Sequence, residues 1–267
     1  MTTTRTLSAL LSCLVLVAVL GGPRASTGGV PAVAVAETSD YVTSVPLPPQ
    51  CLAASPKIVG VKVYLVQKAL GLVGHKERYD AATQAAVRHF QAAHGLSVDG
   101  VVGRRTWVAL RTGYRYCVDQ YTAQPTVGLG ATHRQRIEAM IAYARRQLGT
   151  PYIWGGAGPM GFDCSGLAIQ AMYAGGRTVP GLDTNMHVGA NFRSTQYIYA
   201  SNLRHVSFAD RRRGDLIFYG DPITHMALYL GDGKILEDVR PVARIASIWA
   251  DGLPARPLVV RPVPGRV

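Results

Sequence analysis

The hydrophobic residues follow a helical period in four stretches of the first 150 residues. Between residues 57 and 112, apolar side chains recur three or four positions apart in three runs that glycines separate. A fourth run begins near Thr132. The period is carried by Val61, Leu65, Ala69 and Leu70, then by Thr83, Val87, Phe90 and His94, then by Thr106 to Leu110, and finally by Ile137, Met140, Ile141 and Ala144. The pattern predicts a domain of three short helices, followed by a separate helix.

A glycine-rich loop precedes a strongly apolar helix that begins near Cys164. Asp163 is a favourable N-cap, because its side chain can accept hydrogen bonds from the free N–H groups of the first turn. Gly175 and Gly176 end the pattern. The expected buried face consists of Leu167, Ala168, Ala171 and Met172.

A hairpin is predicted where the apolar strand that starts at His225 reaches Gly231, Asp232 and Gly233 and returns as residues 234–237. If the turn held only Asp232 and Gly233, His225 and Glu237 would lie on opposite faces of the ribbon. A three-residue turn instead pairs position 227 with position 237 and places both side chains on one face. We predict the three-residue turn.

The longest apolar run, Leu7 to Leu20, lies near the N-terminus after Arg5. At about 14 residues it is shorter than the roughly 20 that a membrane-spanning helix needs, and small-residue sites follow it. This pattern is typical of a secretory signal peptide. Cleavage after Ala36 is favoured over cleavage after Ala25, and the alternative of a lipoprotein acylated at Cys13 is disfavoured because the apolar run continues beyond that residue.

Composition and charge narrow the class of protein. An apolar content of 48% excludes wholesale disorder, and the basic residues outnumber the acidic residues by 28 to 16. Removal of residues 1–36 leaves 26 basic and 16 acidic residues. A cationic exported protein is attracted to polyanions such as anionic wall polymers. Nucleic acid is not an expected partner, because the basic residues are scattered and no recognition motif is present.

Three cysteines remain after the signal peptide. Cys51 and Cys117 bracket the predicted helical domain, and in an oxidising compartment their pairing would join its two ends. Cys164 is then the free thiol. At the first turn of a helix it lies at the positive end of the helix dipole, which favours the nucleophilic thiolate. The neighbouring glycines leave N–H groups free to receive an oxyanion.

A cysteine nucleophile requires a base, and His225 has the most suitable setting because it opens an apolar strand. On the predicted face, Glu237 accepts the far ring N–H of His225 and fixes its tautomer. The alternative for a lone histidine is a structural role.

The string AVRHFQAAHGLSVDGVVGRRTWVAL, residues 86–110, resembles the peptidoglycan-binding three-helix repeat of bacterial wall hydrolases. The resemblance covers roughly residues 57–112. It implies that Phe90 and Gln91 pack the second helix and that Asp99 with Gly100 shapes a turn. RYDAAT at residues 78–83 departs from the usual glycine-rich turn, so loss of wall affinity with retention of the fold is a second possibility.

Residues 133–262 resemble the NlpC-type family of bacterial cell-wall peptidases, which are papain-like cysteine enzymes. The motifs are Y-x-W-G-G-x-x-P-x-G-F-D-C-S-G-L at residues 152–167 and G-D-L-I-F-Y, followed by the strand histidine. The resemblance implies that Cys164 is the nucleophile, His225 the base and Glu237 the third triad member. Tyr152 would lie beside the oxyanion, and Trp154, Asp163 and Ser165 would line the substrate groove. The alternatives are packing roles for Tyr152 and Trp154 and a capping role alone for Asp163.

Two departures from this second family pattern stand out. Arg213 replaces a common proline, and the run Arg211 to Arg213 is either solvated or a contact to an anionic wall polymer. The connection from Pro180 to Gln196 is longer than usual and is expected to form part of the groove wall or a lid.

The sequence therefore predicts an α+β protein in which a three-helix bundle precedes a papain-like domain with helices packed on an antiparallel sheet. The expected organisation is a signal peptide (1–36), a linker (37–50), a helical domain (51–117), a second linker (118–131), a peptidase domain (132–262) and a tail (263–267). No metal or other cofactor is expected, since no H-E-x-x-H motif occurs.

The predicted function is hydrolysis of an amide of the peptidoglycan stem peptide by a secreted, monomeric protein. By the resemblance, the expected bond joins D-γ-glutamate to meso-diaminopimelate. The alternatives are an amidase at the junction of sugar and peptide and a non-catalytic wall-binding protein. Partners in cell division or wall remodelling cannot be named from the sequence.

Overall fold

The computed structural model describes residues 41–45, 52–56, 58–72, 74, 77–158, 160–179 and 193–265. The predicted signal peptide, residues 1–36, lies outside the described residues. Cys51 and most of the long connection after Pro180 also lie outside them. Residues 37–267 belong to one compact unit.

Six α-helices, one short 3-10 helix (Phe208–Asp210) and eight strands occur in the described residues. The helices are α1 (Val61–Ala69), α2 (Ala81–Ala93), α3 (Arg104–Leu110), α4 (His133–Arg145), α5 (Cys164–Ala174) and α6 (Thr195–Ala200). The strands are β1 (Ala157–Gly158), β2 (Gly161–Phe162), β3 (Arg204–Ser207), β4 (Leu216–Tyr219), β5 (His225–Gly231), β6 (Lys234–Val239), β7 (Val242–Ser247) and β8 (Leu258–Arg261). The predicted α+β fold, a helical region followed by helices on an antiparallel sheet, is confirmed.

The first three helices form a bundle around a small apolar core. Asp80 caps α2 by accepting from the Thr83 backbone N–H at 2.8 Å. Gln91 is buried on α2, where its amide donates to Asp99 and accepts from the backbone N–H of Gly100. These bonds hold the turn before α3 against α2. Trp107 is buried in the apolar core of the bundle.

The second part of the chain packs α4 and α5 against a six-stranded sheet of order β3-β8-β4-β5-β6-β7. Every neighbouring pair of strands is antiparallel. Leu216, Phe218, Met226, Leu228 and Leu236 face the helices and form the main core with them. Because α5 is buried on nearly all sides, the position of its first residue is fixed by packing.

The β5–β6 hairpin differs in detail from its prediction. Its turn holds two residues, Asp232 and Gly233, both with positive φ (51° and 67°), rather than three. A bulge between Tyr229 and Gly231 shifts the register by one residue, so Leu228 pairs with Leu236. The prediction of a three-residue turn was therefore wrong, but the bulge has the same effect on which side chains share a face.

The segments expected to be linkers pack onto the second part of the chain where they are described. Val42 donates its backbone N–H to the Gly176 carbonyl at 2.9 Å. Tyr121 and Ala123 are buried in the main core, and the Gln170 side chain accepts from the backbone N–H of Ala123 at 2.7 Å. The contacts of Tyr121 and Ala123 hold the segment between the helical bundle and α4 in place.

None of the helices in the described residues is both long and apolar enough to cross a membrane. Among the same residues, Cys164 is the free cysteine. The predicted Cys51–Cys117 disulfide stays a prediction, since Cys51 lies outside the described part of the chain.

Candidate active site

The N-terminus of α5 presents the candidate nucleophile. Cys164 is the first residue of the helix, and Asp163 is its N-cap, accepting from the backbone N–H of Gly166 at 2.7 Å. The capping role predicted for Asp163 is confirmed. Cys164 therefore lies where the unpaired N–H groups of a helix favour a negative charge.

Asp163 is buried, with only 8% of its surface exposed, and both of its carboxylate oxygens accept hydrogen bonds. Its Oδ1 also accepts from Ser165 Oγ, and its Oδ2 accepts from the Gly155 backbone N–H, each at 2.9 Å. Arg193 donates to both carboxylate oxygens at 2.9 Å. The ion pair is therefore bidentate. Together these bonds connect the glycine-rich loop to α5 and to the segment before α6.

His225 and Glu237 lie on one face of the sheet, as predicted. His225 Nε2 is 2.9 Å from Glu237 Oε2, and Glu237 is 1% exposed. The Cys164 side chain lies close enough to the His225 ring to raise the imidazole pKa, and its Sγ lies 3.6 Å from Thr195 Oγ1. Because Nε2 is used by Glu237, Nδ1 is the ring nitrogen available to the sulfur. The three side chains predicted to act together are thus adjacent.

The surroundings of His225 favour its charged form. Burial alone lowers the pKa of the imidazole, but hydrogen bonds to Cys164 and Glu237 and the negative charges of the same two groups raise it to about 10. The net result is an imidazolium that the Glu237 carboxylate stabilises. The charged ring can therefore act as a proton donor at neutral pH.

Glu237 is held on its other side by Arg244, its cross-strand partner on β7. Arg244 Nε donates to Glu237 Oε1 at 2.9 Å, and Arg244 Nη2 donates to Asp251 Oδ1. Burial raises the pKa of Glu237, whereas the hydrogen bonds from His225 and Arg244 lower it below its ordinary value, and the lowering prevails. Glu237 therefore stays ionised.

Ligand atoms of His225, Glu237 and Asp251 lie within 4.8 Å of one another, a spacing that a metal ion could bridge. The guanidinium of Arg244 already lies between the two carboxylates. These contacts fit an arginine that balances the charges of buried Glu237 and exposed Asp251.

Asp238 lies next to Glu237 on β6 and is completely buried. Its carboxyl oxygens have no hydrogen-bond partner among the described residues. Burial, followed by the negative charge of Asp163, raises its pKa to about 8. The carboxyl is therefore mostly neutral at physiological pH and adds little negative charge near the active site.

A cleft of about 290 Å³ opens above Cys164. The predicted groove residues Tyr152, Trp154, Asp163 and Ser165 all line it. Burial, and then the negative charges of Asp163 and Cys164, raise the pKa of Tyr152 well above its ordinary value, so its hydroxyl remains a hydrogen-bond donor. The remaining lining residues are Val59, Gly155, Arg193, Ser194, Thr195, Gln196 and Thr224.

Comparison with known protein families agrees with this arrangement. The NlpC/P60 family profile matches residues 149–251, and the profile described as a putative peptidoglycan binding domain matches residues 60–110. Residues 149–251 are an NlpC/P60 domain. The two expected family resemblances are confirmed.

Several curated proteins are similar to this chain. Peptidoglycan endopeptidase RipB of Mycobacterium tuberculosis is 39% identical over 121 residues, which are 40% of this chain and 45% of RipB. A probable endopeptidase of Corynebacterium glutamicum is 26% identical over 196 residues, covering 65% of this chain and 85% of that protein. The chain thus spans less than half the length of RipB.

Among solved structures, RipD of Mycobacterium tuberculosis is 31% identical, covers 48% of this chain and 97% of its own, and has a TM-score of 0.39. It is described as a non-catalytic NlpC/p60 domain protein adapted to peptidoglycan binding.

Sequence reasoning missed three contributors to the NlpC/P60 site. Arg193 lies near the end of the long connection from Pro180 to Gln196, which has no hydrophobic period, so no pattern in the sequence indicated its ion pair with Asp163. Arg244 could have been found by extending the hairpin register to β7, where it lies opposite Glu237. Val59 reaches the cleft from the helical bundle, and local sequence carries no signal for such a contact. For the expected groove wall after Pro180, residues 193–196 line the cleft, and residues 180–192 lie outside the described part.

Proposed function

We propose that this protein is an exported cysteine hydrolase that cleaves an amide bond of the peptidoglycan stem peptide, with Cys164, His225 and Glu237 as its catalytic triad. The observation that carries the proposal is the 2.9 Å pairing of His225 with the buried Glu237 carboxylate, together with the position of Cys164 as the first residue of α5. The NlpC/P60 match and the endopeptidase names of the similar proteins support it.

The mechanism follows from the charges of the site. The Cys164 thiolate attacks the amide carbonyl carbon, and the resulting oxyanion is stabilised by N–H groups at the start of α5 and by the Tyr152 hydroxyl. The His225 imidazolium donates its proton to the leaving nitrogen, so the C–N bond breaks and a thioester remains on Cys164. Neutral His225 then takes a proton from water, whose oxygen attacks the thioester and releases the carboxylic acid and the thiolate.

Glu237 acts through His225 in this scheme. Its bond to Nε2 turns Nδ1 toward Cys164 and stabilises the charged ring. Glu237 is therefore expected to affect rate and pH dependence more than substrate affinity.

The bond between D-γ-glutamate and meso-diaminopimelate is the proposed site of cleavage, on the strength of the family resemblance. The alternative is the bond between the glycan and the first residue of the stem, because the same thiol chemistry cleaves either amide and the shape of the cleft selects between them.

Mass spectrometry of defined muropeptides tests both activity and bond. Incubation of the reduced protein, without residues 1–36, with a disaccharide tetrapeptide is expected to give a disaccharide dipeptide and a diaminopimelate-containing dipeptide. A free disaccharide and an intact tetrapeptide would instead identify an amidase. Unchanged muropeptide, with retained binding to wall sacculi, would identify a non-catalytic wall-binding protein and overturn the proposal.

A further inference from the structure

Two short segments of the helical bundle pair with each other and face the NlpC/P60 domain. The Gly60 backbone N–H donates to the Glu77 carbonyl, and the Tyr79 N–H donates to the Ile58 carbonyl, each at 3.0 Å. Val59 and Arg78 form the bridge between these bonds. We refer to residues 58–60 and 77–79 as the docking corner.

The backbone of the docking corner lies in close contact with the glycine-rich loop of the active site. A Cβ atom on Gly60, whose φ is +104°, would lie 2.5 Å from the Gly155 carbonyl oxygen. A Cβ on Gly155, whose φ is +76°, would lie 2.5 Å from Val59 Cγ2. Only glycine fits at either position, so the two segments are matched in shape.

Two cations connect the docking corner to the aromatic residues of the cleft. The Arg78 guanidinium lies over the Trp154 ring, 4.7 Å from its centroid. Arg240 lies over the Tyr152 ring at 4.9 Å and forms an ion pair of 2.8 Å with Glu77. The helical bundle therefore contacts the Trp154 ring directly through Arg78, and it reaches the Tyr152 ring indirectly, because Glu77 pairs with Arg240.

An apolar contact completes the junction. Ile153, between the two cleft aromatics, is buried in the core cluster of the helical bundle together with Val61 and Val118. Val59 itself lines the catalytic cleft. A domain attached only by a tether would place none of these side chains at the active site.

We infer that the docking corner is part of the substrate-binding site: it supplies Val59 as an apolar wall for the stem peptide and positions Tyr152 and Trp154 for substrate. The inference rests on the proposed function and gives the helical domain a role besides attachment to the wall. It also gives a role to Arg78, the first residue of the RYDAAT sequence at residues 78–83, where the chain departs from the usual glycine-rich turn.

The test uses a substrate too small to need anchoring. A soluble disaccharide tetrapeptide is hydrolysed by the full mature chain, and kcat and KM are measured for the wild type, Arg78→Gln and Glu77→Gln. Each substitution is expected to raise KM about threefold, and the two combined about tenfold, with kcat nearly unchanged. Arg78 is exposed, so its replacement leaves the fold intact.

The matched control is Arg105→Gln, which removes an exposed arginine of α3 outside the docking corner. Its KM for the muropeptide is expected to equal that of the wild type. Each single charge reversal, Glu77→Arg or Arg240→Glu, is expected to raise KM. The double variant restores a pair of opposite charges, so its KM is expected to return most of the way to the wild-type value.

Failure of this inference is distinguishable from failure of the proposed function. If the wild type hydrolyses the muropeptide and both docking-corner variants match its KM, the helical domain acts only as an anchor and the inference is overturned. If the variants lose binding to sacculi while hydrolysis of the soluble substrate is unchanged, the same conclusion follows. If the wild type releases no product at all, the proposed function fails, and this inference fails with it.

Discussion

Glu237 is a completely buried carboxylate side chain between two cations, His225 and Arg244. An isolated buried charge is strongly unfavourable, and here the two partners offset that cost. The carboxylate in turn keeps the imidazole protonated. The charge of Glu237 therefore affects both the stability of the β5–β6 hairpin and the protonation of the histidine that serves Cys164.

Glu237→Gln is expected to lower kcat about tenfold and to narrow the pH range of activity. In the wild type, the proton-donating imidazolium persists until pH rises through about 10, the raised pKa of His225. Without the carboxylate that pKa falls, so the alkaline limb of kcat/KM moves to lower pH. Rates between pH 5 and 11 measure the shift, and an alkaline limb that stays in place would contradict the role given to Glu237.

Arg244→Met is expected to lower kcat about threefold to tenfold, because Glu237 loses the partner that holds Oε1. In a Glu237→Gln background, Arg244→Met should lower kcat much less, since the two residues act as one unit. Arg213→Met is the control, because it removes a partly exposed ion pair with Glu138 away from the site. Equal losses from Arg244→Met in both backgrounds would show that Arg244 acts independently of Glu237.

At the scale of elements, the approach of the glycine-rich loop to α5 places the nucleophile. Gly166 lies in the first turn of α5, where a Cβ would be 2.1 Å from the Gly156 carbonyl oxygen. Only the absence of a side chain lets the loop close over the helix end.

Gly166→Ala is expected to lower the free energy of unfolding by about 1–3 kcal/mol, as overpacking in a buried site does. The displaced loop should also reduce muropeptide hydrolysis more than the loss of folded protein explains. Gly128→Ala, at a position where a Cβ meets no atom within 4 Å, provides the control. Denaturant unfolding followed alongside activity measures both effects, and a variant as stable and active as Gly128→Ala would refute the argument.

The elements that sequence analysis identified are those specified locally. The periods of α1, α2 and α4 are carried by residues within each helix, and the Asp163 cap depends on its own first turn. The shared face of His225 and Glu237 was predicted correctly, but through a different turn. A bulge and a three-residue turn change strand parity equally, so the alternation of side chains cannot distinguish them.

Contacts between distant segments could not be predicted in the same way. Arg193 pairs with Asp163 across 30 residues, and Arg240 pairs with Glu77 across 163 residues. A single sequence gives no periodic signal for either pair. Both pairs form because folding brings distant segments together, and Arg193 and Asp163 also line the cleft.

At the scale of the whole molecule, the helical bundle packs against the NlpC/P60 domain and is not attached to it only by a flexible tether. The path between them passes through Tyr121, which is buried in the main core. Stability of one part is therefore expected to depend on the other, and a disulfide at the ends of the bundle would act on both.

The predicted Cys51–Cys117 disulfide is tested by counting thiols. Of the four cysteines in the chain, Cys13 leaves with the predicted signal peptide. The mature protein, denatured without reductant, should then show one reactive thiol. Cys117→Ser should lower the free energy of unfolding by about 2–4 kcal/mol. Three reactive thiols in protein isolated from an oxidising compartment would contradict the pairing.

The most direct test of the account compares the mature wild-type protein with Cys164→Ala on one disaccharide tetrapeptide at neutral pH, with products weighed by mass spectrometry. The wild type is expected to cleave the stem peptide. The rate of cleavage by Cys164→Ala is expected to be lower by about 1,000-fold or more, since removal of a nucleophile eliminates the covalent pathway. Equal product formation by the two proteins would contradict the assignment of Cys164 as the nucleophile.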